Sequence, residues 1–139
     1  GFKDNPWMGV GMGNEDYRYE PYRKIVADKH GGHTYLNSAS AGVHNLYLQI
    51  LFANGAIGLT AHILLFAAVF IWCGKWIRYS TPNTRFETGL LWGTVGASTG
   101  ILVASVFNSF FFDSEVQNLN MILFGLAIYA GLKIREQRA

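Results

Sequence analysis

The chain has a single cysteine, Cys73, and three prolines in 139 residues, and only 14% of its side chains are charged. One cysteine excludes an intrachain disulfide. The charged fraction falls well below the roughly 25% of a soluble domain. No run of Lys or Arg occurs and the net charge is +2, so the clustered basic footprint of a nucleic-acid partner is missing. Internal repeats and low-complexity tracts are absent as well. Cys73 lies in an apolar stretch and reads as a small core or lipid-facing residue.

Half of the residues are hydrophobic, and they are bunched. Residues 1–44 hold ten of the twenty charges, five of each sign, and beyond Asn45 the charges sit in short clusters. Charge confined to loops is the distribution of a membrane protein. The expected fold is therefore all-α and polytopic: an N-terminal extracytoplasmic segment over 1–44, then a three-helix membrane region over 45–139. The chain opens on Gly1-Phe2-Lys3 and is read as the C-terminal part of a longer protein.

Residues 1–44 are rich in Gly, Tyr and charge, with turns at Asn5-Pro6 and along Gly9, Gly11 and Gly13. Short helices are expected at Tyr17–Lys24 and Ala27–Gly32 in a segment lying at the membrane surface. The first span is placed at about 46–73. Its uncharged part, Ile50 to Trp72, covers ~35 Å at 1.5 Å per residue, enough for a hydrocarbon core of ~30 Å. Trp72, Trp76 and Tyr79 mark one interface. A polar loop over 75–88 precedes the second span, about 89–112. There Gly89, Gly93, Gly96, Gly100 and Ala104 line one face with small side chains, which predicts close approach of a neighbouring helix. The third span, about 116–134, begins with Gln117, Asn118 and Asn120 and is short in apolar residues. Either its polar end faces a hydrated cavity or the helix lies low with Lys133 reaching outward. Lys75, Arg78 and Arg85 in the loop and Lys133, Arg135 and Arg138 in the tail place both on the cytoplasmic side, leaving residues 1–44 outside.

The chemistry-bearing stretch is His44-Asn45-Leu46-Tyr47-Leu48-Gln49, running on to Asn54-Gly55-Ala56-Ile57-Gly58. On a regular helix Gly55 falls about 20° from His44 and His62 returns to about 0°, so all three share a face with Gly58 close by. Two readings stand: an interfacial His with packing glycines, or a functional His beside a face left open for a helix or a lipid chain. Gly9-x-Gly11-x-Gly13 follows no strand and is no dinucleotide loop. The spacing of His30, His33 and His44 fits no standard zinc site, and neither a metal nor a cofactor is expected. Asn108, Asn118 and Asn120 are candidates for one shared cavity.

His-Asn-Leu-Tyr-Leu-Gln followed by Asn-Gly-Ala-Ile-Gly-Leu resembles the signature of the bacterial O-antigen ligase and polymerase family, and Asn5-Pro6-Trp7-Met8-Gly9-Val10-Gly11-Met12-Gly13 resembles that family's Pro-x-x-Gly-x-Gly-x-Gly segment. The two motifs stand in the family's order, and three spans match its C-terminal end. The resemblance implies a glycosyltransferase of lipopolysaccharide and cell-envelope biosynthesis in the bacterial inner membrane. Its donor would be a glycan on undecaprenyl pyrophosphate, and its acceptor a hydroxyl on lipid A-core, another glycan or a protein. The family's general base carries over to His44. Pyrophosphate binding falls to loop arginines, here Arg18 or Arg23, with Asn45 and Tyr47 as further substrate-binding candidates.

The residues suit that chemistry on their own terms. A sugar hydroxyl is a poor nucleophile at neutral pH, and a His with a reference pKa of ~6.5 accepts its proton near that pH. Arg binds phosphate oxygens bidentately. The competing reading is a transporter or a non-catalytic membrane subunit, with the His and the glycines serving packing or a substrate path.

Overall fold

The computed structural model describes residues 5–11, 45–107 and 114–138. The short helices expected within 1–44, together with Arg18, Arg23, His44 and Asn108, lie outside the described residues. Three helices and no strand occur among those described: α1 (Leu46–Arg78), α2 (Arg85–Ala104) and α3 (Ser114–Glu136), with a 3-10 turn at Pro82–Thr84 before α2. By length and composition, α1 is long and apolar enough to cross a membrane.

The ends of these helices follow from local chemistry. Asn45 caps α1: its backbone is extended (φ −153°, ψ 113°), and its Oδ1 accepts from the Leu48 N–H at 3.0 Å, satisfying one of the donors a helix start leaves open. Lys75 and Arg78 occupy the last turn, where cations complement the exposed carbonyls. Pro82 opens the 3-10 turn, and the Thr84 hydroxyl both accepts from the Thr81 N–H (2.8 Å) and donates to the Thr81 carbonyl (3.0 Å). The polar loop expected at 75–88 thus shrinks to residues 79–84, because α1 runs on through Lys75 and Arg78 and α2 already begins at Arg85. The second helix begins at Arg85 and gives way to a turn at 105–107, and the third contains the expected 116–134.

Helix α1 does not run straight. Gly55 inside it has φ 67° and ψ −166°, far from helical values. A straight helix of 33 residues would extend roughly 50 Å, against roughly 30 Å for the 20 residues of α2. Yet the two ends of α1 meet the two ends of α2. The Leu46 N–H donates to the Ser105 carbonyl at 2.9 Å, and six residues separate Arg78 from Arg85. The bend at Gly55 therefore turns the first segment, 46–54, across the end of α2, and the straight segment is 56–78. The helical wheel that aligned His44, Gly55 and His62 assumed unbroken helix, so that alignment is lost at the break.

Helix α3 packs against α2 and α1. Small residues on α3 form the seat: Ala127 and Ala130 are fully buried beside Cys73, Trp76, Leu91 and Ile134. A Cβ on Gly131 would meet Trp72 Nε1 at 2.6 Å and Trp76 Cδ1 at 2.6 Å. The Trp72 indole donates to the Ala127 carbonyl at 3.1 Å, and Phe66 meets Phe124 edge-on with ring centroids 5.4 Å apart. The close-packed small-residue face within this trio thus belongs to α3. Gly89, Gly93, Gly96 and Gly100 of α2 have nothing within 4 Å of an added Cβ among the described residues, so the close helix contact expected on that face is not made there. Between α2 and α3 the Thr94 hydroxyl reaches the Leu90 carbonyl (2.9 Å) and the Leu123 carbonyl (3.3 Å). Asn120 is fully buried and Asn118 exposed, so these two do not share one cavity.

Candidate functional site

The break at Gly55 is where the two glycine motifs meet. Opening the helix there frees four backbone groups, because Ala56 and Ile57 lose their usual acceptors four residues back, Phe52 and Ala53. Segment 5–11 pairs with all four. The Val10 N–H donates to the Phe52 carbonyl at 3.0 Å and the Gly11 N–H to the Ala53 carbonyl at 2.8 Å. The Pro6 carbonyl accepts from Ala56 N–H at 2.9 Å, and the Trp7 carbonyl from Ile57 N–H at 3.2 Å. The segment holds its own turn through a Gly9 N–H to Asn5 carbonyl bond of 2.9 Å. Buried backbone polar groups require partners, and here the chain replaces two helical bonds with four bonds between distant segments.

Glycine is required on both sides of this junction. Gly9, Gly11 and Gly55 all have positive φ (69°, 89° and 67°). The Gly55 pair of angles falls in a region open essentially to glycine alone. A Cβ at Gly9 would strike the Ala53 carbonyl, and one at Gly55 would strike the Trp7 carbonyl. At Gly58 the occupant is the chain's own Asn54 side chain. The space at Gly55 and Gly58 is therefore filled by segment 5–11 and by Asn54, not by a neighbouring helix or a lipid chain. The sequence signal for this docking was present in the paired motifs, but neither motif alone reveals that one caps the other's break.

The first turn of α1 is tied down at its other end. Asn45 Nδ2 donates to the Val106 carbonyl at 2.8 Å while its Oδ1 serves the N-cap, and the Tyr47 hydroxyl donates to the Leu102 carbonyl at 2.8 Å. With the bond from Leu46 N–H to the Ser105 carbonyl, these contacts fix residues 45–47 on the Leu102 carbonyl near the end of α2 and on the Ser105 and Val106 carbonyls of the turn after it. Asn45 and Tyr47, expected to bind substrate, thus spend these donors within the protein. His44 is the next residue in the chain before this anchored turn.

Below the turn lies an apolar groove of about 250 Å³, lined by Tyr47, His62, Ile63, Phe66 and Phe70 of α1 and Leu102 of α2. The His62 ring lies 5.0 Å from that of Phe66. The fold-back at Gly55 therefore brings Tyr47 and His62 to one groove, although fifteen positions separate them in the chain. Among the described residues, no three His, Cys, Asp or Glu side chains come together as a metal site. No family model, curated protein or solved structure matches the chain.

Proposed function

We propose that this chain is the C-terminal part of a polytopic membrane glycosyltransferase of the O-antigen ligase type, with His44 as its general base. The observation that carries the reading is the junction: the two segments bearing the family-like motifs are joined by four backbone hydrogen bonds at a break in the helix that His44 precedes. The pairing of these two segments supports reading them as one unit.

In this reading the straight segment 56–78 is the first crossing, since its 23 or so residues cover ~35 Å, and α2 and α3 are the other two. Segment 46–54 then lies across the outer ends, where the headgroup and pyrophosphate of a lipid-linked donor are found. Loop 79–84 and the C-terminus are cytoplasmic, in a bacterial inner membrane. An acceptor hydroxyl on lipid A-core, a glycan or a protein gives its proton to the His44 imidazole. The hydroxyl oxygen bonds to the anomeric carbon of the donor sugar. The bond from that carbon to the pyrophosphate oxygen breaks, and undecaprenyl pyrophosphate leaves with the electron pair. Arg18 and Arg23 are the candidate cations for the leaving group.

A transporter is the second reading, favoured by the broken helix, because transporters use unwound backbone to bind ions and substrates. Here the Phe52 and Ala53 carbonyls and the Ala56 and Ile57 N–H groups are each taken by segment 5–11, which leaves the break without free ligands at those positions. The two readings part in one experiment. The full-length protein is purified into liposomes with a glycan-labelled undecaprenyl pyrophosphate donor and a hydroxyl acceptor. Formation of a covalent glycan–acceptor product supports the transferase. Movement of intact donor or glycan across the bilayer without a product would sink it.

A further inference from the structure

We infer that Asn45 and Tyr47 are positioning residues for His44 and do not bind substrate. The inference rests on the transferase reading. Its geometry is the three-bond clamp between residues 45–47 and the end of α2: Asn45 Nδ2 to the Val106 carbonyl (2.8 Å), Leu46 N–H to the Ser105 carbonyl (2.9 Å) and Tyr47 hydroxyl to the Leu102 carbonyl (2.8 Å).

One of these bonds ends on the Leu102 carbonyl in the last turn of α2, and the other two end on Ser105 and Val106 in the turn that follows it. Carbonyls at and just past a helix end have no helical partner; here Leu102, Ser105 and Val106 supply such acceptors, and residues 45–47 supply the matching donors. Asn45 works in both directions at once: its amide nitrogen grips α2 while its oxygen caps α1. Leu46 is fully buried beneath the clamp, in the cluster with Ile50, Phe66 and Phe124. At the far end of the same short segment, the Gly55 junction holds residues 52 and 53 from the other side. A segment of nine residues is thereby fixed at both ends, and the residue joined to its first turn is the base.

General-base catalysis depends on placing the imidazole within hydrogen-bond reach of the reacting hydroxyl, and a misplacement of about 1 Å costs on the order of 10²-fold in rate. The clamp fixes residue 45, which is covalently joined to His44. Substrate binders and positioning residues then separate kinetically: losing a binder raises KM, whereas losing a positioning contact lowers kcat at nearly constant KM.

The test uses the full-length protein and two conservative variants. Tyr47→Phe removes one hydroxyl and keeps the ring. Asn45→Ser keeps an oxygen for the cap and loses the amide donor to Val106. Each is expected to lower kcat by about 10-fold or more, with KM for the lipid-linked donor within about twofold of wild type. Wild-type kcat in both, or a raised KM at constant kcat, would overturn the inference. Should Asn45→Ser lower the folded yield, Tyr47→Phe carries the test alone. His44→Ala in the same assay separates the two levels. If it stays active, the transferase reading itself fails. If it is inactive while Tyr47→Phe and Asn45→Ser turn over normally, only the positioning role fails.

Discussion

Gly55 shows how one residue decides local structure. Its φ of 67° and ψ of −166° are open to glycine and strained for any other residue by about 1–3 kcal/mol, before counting the collision of a Cβ with the Trp7 carbonyl. Gly93 sits inside regular helix with nothing within 4 Å of an added Cβ. The same substitution should therefore have opposite signs at the two sites. Gly55→Ala lowers stability by more than ~1–3 kcal/mol, while Gly93→Ala is neutral or stabilises by up to about 0.5–1 kcal/mol, since Ala is the better helix former. Thermal unfolding in detergent compares them directly, and equal shifts would mean that the break is not a feature of the folded state. The sequence flagged Gly55 as special but for a different reason: helical spacing makes any glycine resemble a packing site, and backbone angles are invisible to that count. Asn45 is similar. Its place before an apolar run marks a cap, yet nothing in the spacing reveals that its other amide atom reaches Val106, 61 positions away.

At the scale of helices, three helical stretches are legible because the charges cluster between them, and α3 extends the expected 116–134 by only two residues at each end. The bend in α1 is not legible, since Asn54-Gly55-Ala56 is sequence that helices tolerate. It becomes favourable only when segment 5–11 supplies partners for the opened backbone. The choice between small-residue faces also depends on tertiary contacts. The run of glycines in α2 is the more conspicuous in sequence, but Trp72 and Trp76 pack on Ala127, Ala130 and Gly131 of α3. Large side chains need a shallow surface to pack against, and α3 provides one where α1 carries its indoles. Gly131→Leu should accordingly cost about 1–3 kcal/mol by overpacking and lower the folded yield. Gly96→Leu meets no described side chain and should leave the yield of this helix trio close to wild type. Size-exclusion recovery of both variants measures this, and a larger loss at Gly96 would place the packing face on α2.

For the whole molecule, much of the helical surface is apolar and exposed, including Ile57, Leu64 and Ile71 of α1, Phe86 and Trp92 of α2, and Ile122 and Ile128 of α3. Exposed apolar side chains on all three helices are the kind of surface that lipid or further protein covers. If the chain is embedded as proposed, segment 5–11 lies at the outer boundary and the C-terminal residues lie inside. Met8 is 76% exposed, so Met8→Cys offers a label site. A membrane-impermeant maleimide added outside spheroplasts should label the Met8→Cys variant and spare a Gln137→Cys variant, and the reverse pattern would invert the topology. The overall helical plan was legible from composition, whereas the joining of the two motif segments was not, because it is made by backbone atoms that sequence does not distinguish.

The proposed function rests on His44, which in sequence directly precedes a turn anchored beside α2 and a helix segment pinned by segment 5–11. The decisive measurement is the rate of glycan transfer from undecaprenyl pyrophosphate to a hydroxyl acceptor by purified full-length wild type, His44→Ala and His44→Gln, at matched amounts of folded protein. Loss of a general base typically costs about 10²–10⁴ in rate. Gln keeps hydrogen bonding but cannot take the proton, so both variants should fall by that range while still inserting into the membrane. Turnover near wild type in His44→Ala would contradict the assignment and leave His44 an interfacial residue without a part in the chemistry.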